Sequence, residues 1–569
     1  MQHWLVDTMR GGSASRHGER RKVKRGATCG RVCAIVLKNY QENGRSGLRI
    51  AERSLANAWE RRVARSPRDV ALTFFDRHWT VEEVDELAAA LAAGLHGRGV
   101  DRGDRVGIHL QNVPQYAVIL LALWKLGAIA VLLNPMYRGE ELRHLLGDSG
   151  AVGVFADVAT GKAVSAAGGD MVSWVIEVDA RTWQTRDDGR IFGSSASSDT
   201  LCAFDLLIEE HRGQTWQSRD LDPDALAMLT YTSGTTGPPK GAMNTHGNLL
   251  HVVRGFEAWL SLDHDVVLAL APLFHITGAV ANAALALLGT SRLVFAHRFQ
   301  AEVVRDAISE HGVTFALGSI TAYNALLQVS EPEDLRSLRL VYSGGAPIPP
   351  AVVERARERF GFYIHNAYGM TETSSAVVAV PPGIDAPVHQ PTGTLSIGVP
   401  LPHVVARAVD QNGVEVPRDD EGELELSGPQ IVPGYWNNAQ ATESTMPGGR
   451  LRTGDVAVID DDGWIYLVDR LKDQINVSGY KVWPREVEDA LSEHPAVLEV
   501  AVVGKPDDYS GERVEAFVSL REAAAPATGD ELATFVRDRL AAYKVPRVVH
   551  VVATLPKTET AKIRRAALR

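Results

Sequence analysis

The sequence predicts an α/β protein with a large multi-subdomain N-terminal domain, built of parallel-rich sheets and helices, and a small α+β C-terminal domain. Three observations predict it. The chain has 569 residues, beyond what one hydrophobic core organises, so several domains or subdomains are expected. From residue 48 to 467, short apolar runs alternate with helical periods, the pattern of strands joined by crossover helices. After Arg470 the texture changes to shorter strands and two helices. The expected division is 1–47, 48–469 and 470–569.

Each element follows from its local pattern. Residues 1–50 carry eleven Lys/Arg against three Asp/Glu, a net of +8 that leaves −19 for the rest. This basic, Gly-rich tail lacks the apolar core of a secretory signal and reads as a disordered extension; a transit peptide and a peripheral membrane contact are the alternatives. Apolar Val84, Leu87, Leu91 and Leu95 place a helix over 80–95, and 106–110 is a strand. The apolar run 116–133 is interrupted by Lys125 and Gly127. It therefore divides into a helix (116–126), a glycine turn and a buried strand (128–133) ending at Asn134-Pro135. Residues 266–295 are expected to break at Pro272, Gly278 and Gly289, so no transmembrane segment is predicted. Residues 158–220 read as an elaborated surface region, because polar strings such as GSSASSD (193–199) dominate them. Strands are expected at 228–231 and 338–342. In the small domain Pro484 opens a helix through Val487 and Leu491. Strands follow at 497–503 and 513–520, then a helix carrying Leu532, Phe535, Val536 and Leu540.

Composition excludes some functions. Hydrophobic residues at 45% and charged residues at 23% are ordinary for a globular protein. A net charge of −11 argues against a general nucleic-acid binder. Three cysteines (Cys29, Cys33, Cys202) make no disulfide framework, which points to a reducing, cytoplasmic interior. The C-x3-C pair in the tail falls short of the four ligands a zinc site wants.

The chemistry begins at Tyr231-Thr-Ser-Gly-Thr-Thr-Gly-Pro-Pro-Lys240. Residues 232–241 hold four hydroxyls, three glycines and a lysine. Phosphate oxygens need many short-range donors, so glycines for close backbone approach and hydroxyls as extra donors suit them, and Lys240 adds a point charge. A Walker A pattern is absent. Seven further segments follow in order: Pro272-Leu-Phe-His275; Ser343-Gly-Gly-Ala-Pro347, at a strand end whose glycines let a flat ring lie on the backbone; Asn366-Ala-Tyr-Gly-Met-Thr-Glu372; Thr453-Gly-Asp455; Asp469-Arg-Leu-Lys-Asp473; Ser478-Gly-Tyr-Lys-Val-Trp-Pro484; and Pro556-Lys-Thr-Glu-Thr-Ala-Lys-Ile563.

This series resembles the acyl-adenylate-forming (AMP-binding) superfamily: acyl-CoA synthetases, firefly-luciferase-like enzymes and peptide-synthetase adenylation domains. The likeness runs from about Leu48 to the C-terminus. It implies that Thr232, Ser233, Gly234, Thr235, Thr236, Gly237 and Lys240 hold ATP phosphates. Gly344, Gly345, Ala346, Pro347, Asn366, Ala367, Tyr368 and Gly369 would form the adenine pocket, with Tyr368 stacked on the base. Thr371 would bind the α-phosphate, and Glu372, with Thr232, would hold Mg²⁺, a cation that wants few carboxylates. Asp455 and Arg470 would bind ribose. His275 would gate the carboxylate site, beside an acyl pocket that includes Gly318 and Gly345. Lys472 would be the pivot of a mobile small domain, and Gly479 would admit the thiol of coenzyme A after rotation. Lys562 is the implied catalytic lysine and Lys557 the fallback; the family usually has glycine where Ala561 stands, which bears on the local turn and not on the charge.

The implied reaction is ATP-dependent formation of acyl-CoA through acyl-AMP, releasing pyrophosphate and then AMP. No aspartate stands near residues 274–280 to meet an α-ammonium, so amino acids are not expected substrates. The chain ends seven residues after Lys562 with no fused carrier domain, and the short run from Glu372 to Gly422-Glu-Leu-Glu-Leu426 leaves little room for the insertion of ligases that serve carrier proteins. Free coenzyme A is thus the expected acceptor. Leu317-Gly-Ser-Ile320 and residues 346–348 make a small apolar tunnel without a cation, as for a medium- or long-chain fatty acid. The string Asp473-Gln-Ile-Asn-Val-Ser-Gly-Tyr-Lys-Val-Trp-Pro484 is most similar to bacterial fatty-acyl-CoA synthetases. Alternatives are an aryl-CoA ligase, an acyl-AMP ligase serving a carrier protein, a luciferase-like oxygenase sharing the first half-reaction, and a non-catalytic nucleotide-binding relative. The last would be expected to lack Glu372 or Lys562. Partners are small molecules, and the oligomeric state stays open between monomer and homodimer.

Overall fold

Two parallel-rich sheets carry the large domain in the computed structural model, which describes residues 50–193, 201–232, 238–346, 348–391, 393–478, 480–507, 510–521, 527–537, 539–557 and 563–569. The first sheet runs Trp174–Val178, Gly153–Asp157, Arg105–His109, Ile129–Leu132 and Leu226–Tyr231, all parallel. Gly241–Thr245 adds antiparallel at its edge. In the second, Val70–Phe74, Arg292–Phe295, Val266–Leu268, Phe315–Gly318, Leu340–Gly344 and Ile364–Met370 are parallel neighbours. Ser375–Ala379 and Val399–Pro400 then extend one side antiparallel, and Arg77–Thr80 the other. Parallel strands need covered faces, and their near-continuous apolar runs reflect that. A four-stranded antiparallel sheet (Val405–Val409, Gly422–Ser427, Leu451–Ile459, Ile465–Arg470) completes the large domain.

The helix expected over 116–126 spans Pro114–Leu126, with Pro114 at its first turn and Gly127 (φ +74°) as its left-handed C-cap. All thirteen of its residues are buried, as a helix apolar on every side must be. Lys125, the residue that spoils it as a membrane span, pairs through Nζ with Asp85 Oδ1 at 2.9 Å, and the Trp59 indole donates to the same oxygen at 2.7 Å. The 80–95 helix is Val81–Gly97, opened by a reciprocal Thr80–Glu83 capping box. Among the described residues no helix is long and apolar enough to cross a membrane.

Four expectations need correction. Gly278 does not break the chain: it lies inside a π-helix, Thr277–Ala284, that continues into Leu285–Leu288. Any Cβ there would collide with the Pro272 carbonyl oxygen, so the glycine serves close packing rather than a turn. Within 158–220, Trp174–Val178 is an edge strand of the first sheet, and Ile176, Val178, Trp183, Phe204 and Leu207 belong to the core. Its elements are too short to show a period through the polar strings between them; residues 194–199 of GSSASSD lie outside the described set. The last helix, Gly529–Arg537, stops short of Leu540. The strand read at 338–342 is Leu340–Gly344, two residues further on.

Arg62, on the helix Leu55–Arg65, is fully buried and donates to the carbonyls of Ala286, Leu287 and Ser291, where the chain leaves Leu285–Leu288. Burial lowers its pKa to about 10, within the range where it stays charged at neutral pH. Arg62→Met would strand those acceptors and is expected to lower stability by about 3 kcal/mol in denaturant melts.

The small domain has its own core, including Val482, Val487, Leu491, Val502, Val514, Val518, Leu532 and Val536. Its main hairpin, Val497–Asp507 with Gly511–Leu520, is joined by Ile475–Val477, Tyr480–Val482 and the parallel strand Val548–Val551. Pro484–Ser492 supplies the first of its helices. Trp483 packs against Val456, Val458 and Val468 of the four-stranded sheet.

Candidate active site

In open α/β sheets, ligands gather beyond the carboxyl ends of parallel strands. Among the described residues, Gly318 and Gly344 end strands of the second sheet, Tyr368 stands near the end of the next, and Thr232 follows a strand of the first. Leu226–Tyr231 runs out of the first sheet into the phosphate-loop sequence, and Thr232 and Lys240 close its neck. Thr232 N–H donates to the Lys240 carbonyl (2.9 Å), and Lys240 N–H to Thr232 Oγ1 (3.2 Å). Ser233, Gly234, Thr235, Thr236 and Gly237 lie outside the described residues. Below the neck, Tyr231 donates its hydroxyl to Asp148 at 2.6 Å. Lys240 Nζ stands 4.8 Å from the centre of the Tyr435 ring, a cation–π approach that holds the ammonium near the loop.

Three neighbouring strands of the second sheet bring the next group together. Gly318 pairs in register with Ser343, Ser343 with Asn366, and Gly344 with Ala367. A Cβ on Gly344 would stand 2.7 Å from the Ala367 carbonyl oxygen, and Gly345 adopts φ +79°. The two glycines therefore permit a close approach and a turn that side chains would obstruct. Ala346 follows, and Pro347 lies outside the described residues. Asn366 is buried and donates to the Ser396 carbonyl (3.1 Å), which fixes the strand rather than reaching outward.

Tyr368 extends from the end of Ile364–Met370 and donates to Asp455 Oδ2 at 2.7 Å; Asp455 Oδ1 meets Arg470 Nε at 3.1 Å. Burial, then the Asp455 charge, pushes the Tyr368 hydroxyl up, so it stays protonated and a donor. Asp455 in turn holds Arg470 above its ordinary value. Asp455 has one oxygen on each partner, so the ring, the carboxylate and the guanidinium form one constellation.

Glu372 is buried, and Tyr435 donates to its Oε1 at 2.5 Å. Burial and that carboxylate raise the tyrosine's pKa. The Val432 N–H donates to the Glu372 carbonyl (2.9 Å), so one turn fixes both main chain and side chain. Thr371 is buried, its carbonyl 3.4 Å from Asn244 Nδ2, which also donates to Ser374 Oγ at 3.0 Å. Ser374 (φ +57°) and Ser375 (φ +121°) sit in the left-handed half of backbone space. Strain of this kind persists where surrounding contacts over-determine it.

His275 is half-buried at the start of the π-helix. The segment before it is pinned by two buried asparagines. Asn112 donates to the carbonyls of Ala269 (2.7 Å) and Ala271 (3.0 Å) and accepts from Leu273 N–H (2.8 Å). Asn282 accepts from Ala271 N–H at 3.0 Å. His275 Nδ1 accepts from Thr277 N–H at 3.4 Å.

Arg470 ends the last strand of the four-stranded sheet, and Leu471–Asp473 then makes one 3₁₀ turn that includes Lys472, whose side chain is outside the described set. Gly479 and Lys562 also lie outside it. Lys557 is paired through Nζ with Glu499 Oε1 at 2.8 Å.

Sequence reasoning missed Tyr435, Asn112, Asn282 and Asp148. Tyr435 had a signal, since Pro433-Gly-Tyr-Trp436 puts two aromatics after a Pro-Gly turn. The asparagines had none, because their partners are backbone groups remote in sequence.

As assembled, the site offers a loop neck with a cation, a buried carboxylate that accepts from Tyr435, and a Tyr–Asp–Arg group at a strand end. It suits a nucleotide whose phosphates meet the loop. Comparisons with known proteins agree in kind. Residues 59–436 match the family described as AMP-binding enzyme, and residues 486–562 match the AMP-binding enzyme C-terminal domain. The chain is 35% identical over 545 residues to a long-chain-fatty-acid–CoA ligase of Escherichia coli O6:H1, covering 91% of this chain and 94% of that one. It is 34% identical over 523 residues to a feruloyl-CoA synthase of an Amycolatopsis species, covering 90% and 97%. Among solved structures it resembles the o-succinylbenzoate coenzyme A synthetase of Bacillus subtilis in complex with ATP and magnesium ion. The TM-score is 0.74 with 29% identity, over 90% of this chain and 99% of that one.

Proposed function

The chain belongs to the AMP-binding enzyme family and is an AMP-forming acyl-CoA synthetase, and we propose that its acid is a medium- or long-chain fatty acid, activated at the site assembled around Tyr368, Glu372 and Asp455. The observation that carries this reading is the joining of Tyr368, Asp455 and Arg470 at a strand end beside the buried Glu372. The apolar Leu317-Gly-Ser-Ile320 segment supports a hydrocarbon tail, as does the name of the E. coli relative. A cytoplasmic location fits the reading.

The acid's carboxylate oxygen attacks the α-phosphorus of ATP, and pyrophosphate leaves in line. Tyr368 and the backbone at Gly344 and Gly345 hold adenine; Asp455 and Arg470 hold ribose; the loop from Thr232 to Lys240 holds the phosphates. His275 gates the entry of the carboxylate, and Thr371 and Lys562 meet the charge that builds at phosphorus, a preorganised electrostatic role. Glu372, whose Oε1 accepts from Tyr435, would hold Mg²⁺ together with Thr232. The ion, when bound, neutralises phosphate charge. Lys557 is engaged by Glu499, which favours Lys562 as the catalytic lysine.

Rotation about Lys472 then brings Gly479 to the adenylate. The thiol sulfur of coenzyme A attacks the acyl carbon, the C–O bond breaks, and AMP leaves with the bridging oxygen. Gly479→Leu is expected to slow thioester formation from supplied acyl-AMP by about 10–100-fold while sparing ATP–pyrophosphate exchange. Unchanged thioester yield would contradict the rotation.

The likeness to a feruloyl-CoA synthase supports an aryl acid as a second reading. A panel of fatty and aromatic acids, assayed with ATP, Mg²⁺ and coenzyme A, separates the two. The proposal expects the highest kcat/KM on acids with medium or long chains, and a preference for cinnamate-like acids would replace it.

A further inference from the structure

The C-terminal segment is fastened to the hinge by arginines that the reaction scheme does not use. Lys557 and Ile563 form an antiparallel bridge, and Arg564 N–H donates to the Pro556 carbonyl at 2.8 Å. The five residues between the bridged pair include Lys562. Directly after them Arg565 forks onto Glu488, with Nε to Oε1 at 3.0 Å and Nη2 to Oε2 at 2.6 Å. Its Nη1 lies 3.4 Å from Asp473 Oδ2 and 3.7 Å from Asp469 Oδ1. Arg569 takes the other oxygen of Asp473 at 2.6 Å.

Asp469 and Asp473 stand on either side of Lys472, so the two arginines grip both ends of the turn at which the small domain would pivot. Both carboxylates are buried. Asp469 is also tied across the turn by Arg485, whose N–H donates to Oδ2 at 2.8 Å, while Arg485 Nη1 reaches the Leu467 carbonyl at 2.8 Å. A bidentate arginine fixes direction as well as distance, which a point charge does not. Glu488, its main partner, is itself anchored by the Val502 N–H at 2.8 Å.

We propose that Arg565 is a positioning residue for adenylation: it seats the neck of the Lys562 segment on the hinge carboxylates and Glu488, so that the lysine's placement is set by the state of the hinge. The inference rests on the role proposed for Lys562. The strands flanking Gly479 do not depend on the clasp, because they are held by their own pairing and by Val477 opposite Gly511. The two half-reactions should therefore separate when the clasp is cut.

The test uses the full chain carrying Arg565→Ala or Arg565→Lys. It compares acid-dependent ATP–pyrophosphate exchange with thioester formation from supplied acyl-AMP and coenzyme A, and records the melting temperature. Arg565→Ala is expected to lower the kcat of exchange by about 30-fold with KM for ATP within about twofold, since a misplaced lysine loses an interaction made only in the transition state. Thioester formation stays within about threefold, and Arg565→Lys recovers part of the exchange rate through one charge contact. Exchange at the parent rate in Arg565→Ala overturns the proposal. So does a parallel fall of both half-reactions with a lowered melting temperature that the lysine variant shares, because that is the mark of a structural residue. Absence of exchange in the parent protein with every acid would instead refute the adenylation reading itself.

Discussion

Lys562→Ala is expected to lower acid-dependent ATP–pyrophosphate exchange by about 10²–10³-fold, while thioester formation from supplied acyl-AMP stays within about threefold. The expectation follows from where charge develops. On the proposed reading, ground-state ATP would already be held by the loop from Thr232 to Lys240, whose ends are joined by two hydrogen bonds. The additional negative charge of the pentacoordinate phosphorus appears only in the transition state. A lysine supplied by the small domain would meet that charge, so kcat falls and KM for ATP moves little. In the second half-reaction the leaving group is AMP, and the proposed rotation would have withdrawn the lysine. Single-turnover assays of each half-reaction measure the split. Loss of both would remove Lys562 from its assigned role, and loss of neither would return attention to Lys557, which would first have to leave Glu499.

The second large effect is at Glu372. Glu372→Gln keeps the shape and an oxygen to accept from Tyr435, so the buried turn that Val432 holds stays packed. What it removes is the negative charge a divalent cation requires. Exchange is expected to fall about 100-fold at millimolar Mg²⁺ and to recover in part as Mg²⁺ is raised. Tyr435→Phe should act in the same direction and more mildly, raising the Mg²⁺ needed for half-maximal rate by about tenfold, because it loosens the carboxylate without discharging it. A Glu372→Gln enzyme with normal rate and normal Mg²⁺ dependence would dismiss the ligand assignment.

Much of this site was legible because its chemistry is written in contiguous strings. Glycines, hydroxyls and a lysine in one loop suit phosphates before any fold is known. The register of Gly318, Ser343 and Asn366 across three strands then explains why segments far apart in sequence converge. What stayed hidden depends on contacts without a local signature. Asn112 and Asn282 look like ordinary polar residues until their backbone partners at Ala269 and Ala271 are seen. Tyr435 gains meaning only when it meets Glu372. Gly278 read as a break because glycine usually interrupts a helix; the neighbouring Pro272 carbonyl reverses that reading. The region 158–220 hid a core strand because five residues between polar loops carry too little period to register.

Activation of the carboxylate runs through its adenylate. The most direct measurement supplies a fatty acid labelled with ¹⁸O in both carboxylate oxygens, together with ATP, Mg²⁺ and coenzyme A, and follows the label by mass spectrometry. Attack of the carboxylate on the α-phosphorus predicts one ¹⁸O in the phosphate of AMP for each acyl-CoA formed, with unlabelled pyrophosphate. Label in inorganic phosphate with ADP as co-product, or acyl-CoA formed with unlabelled AMP, would contradict it.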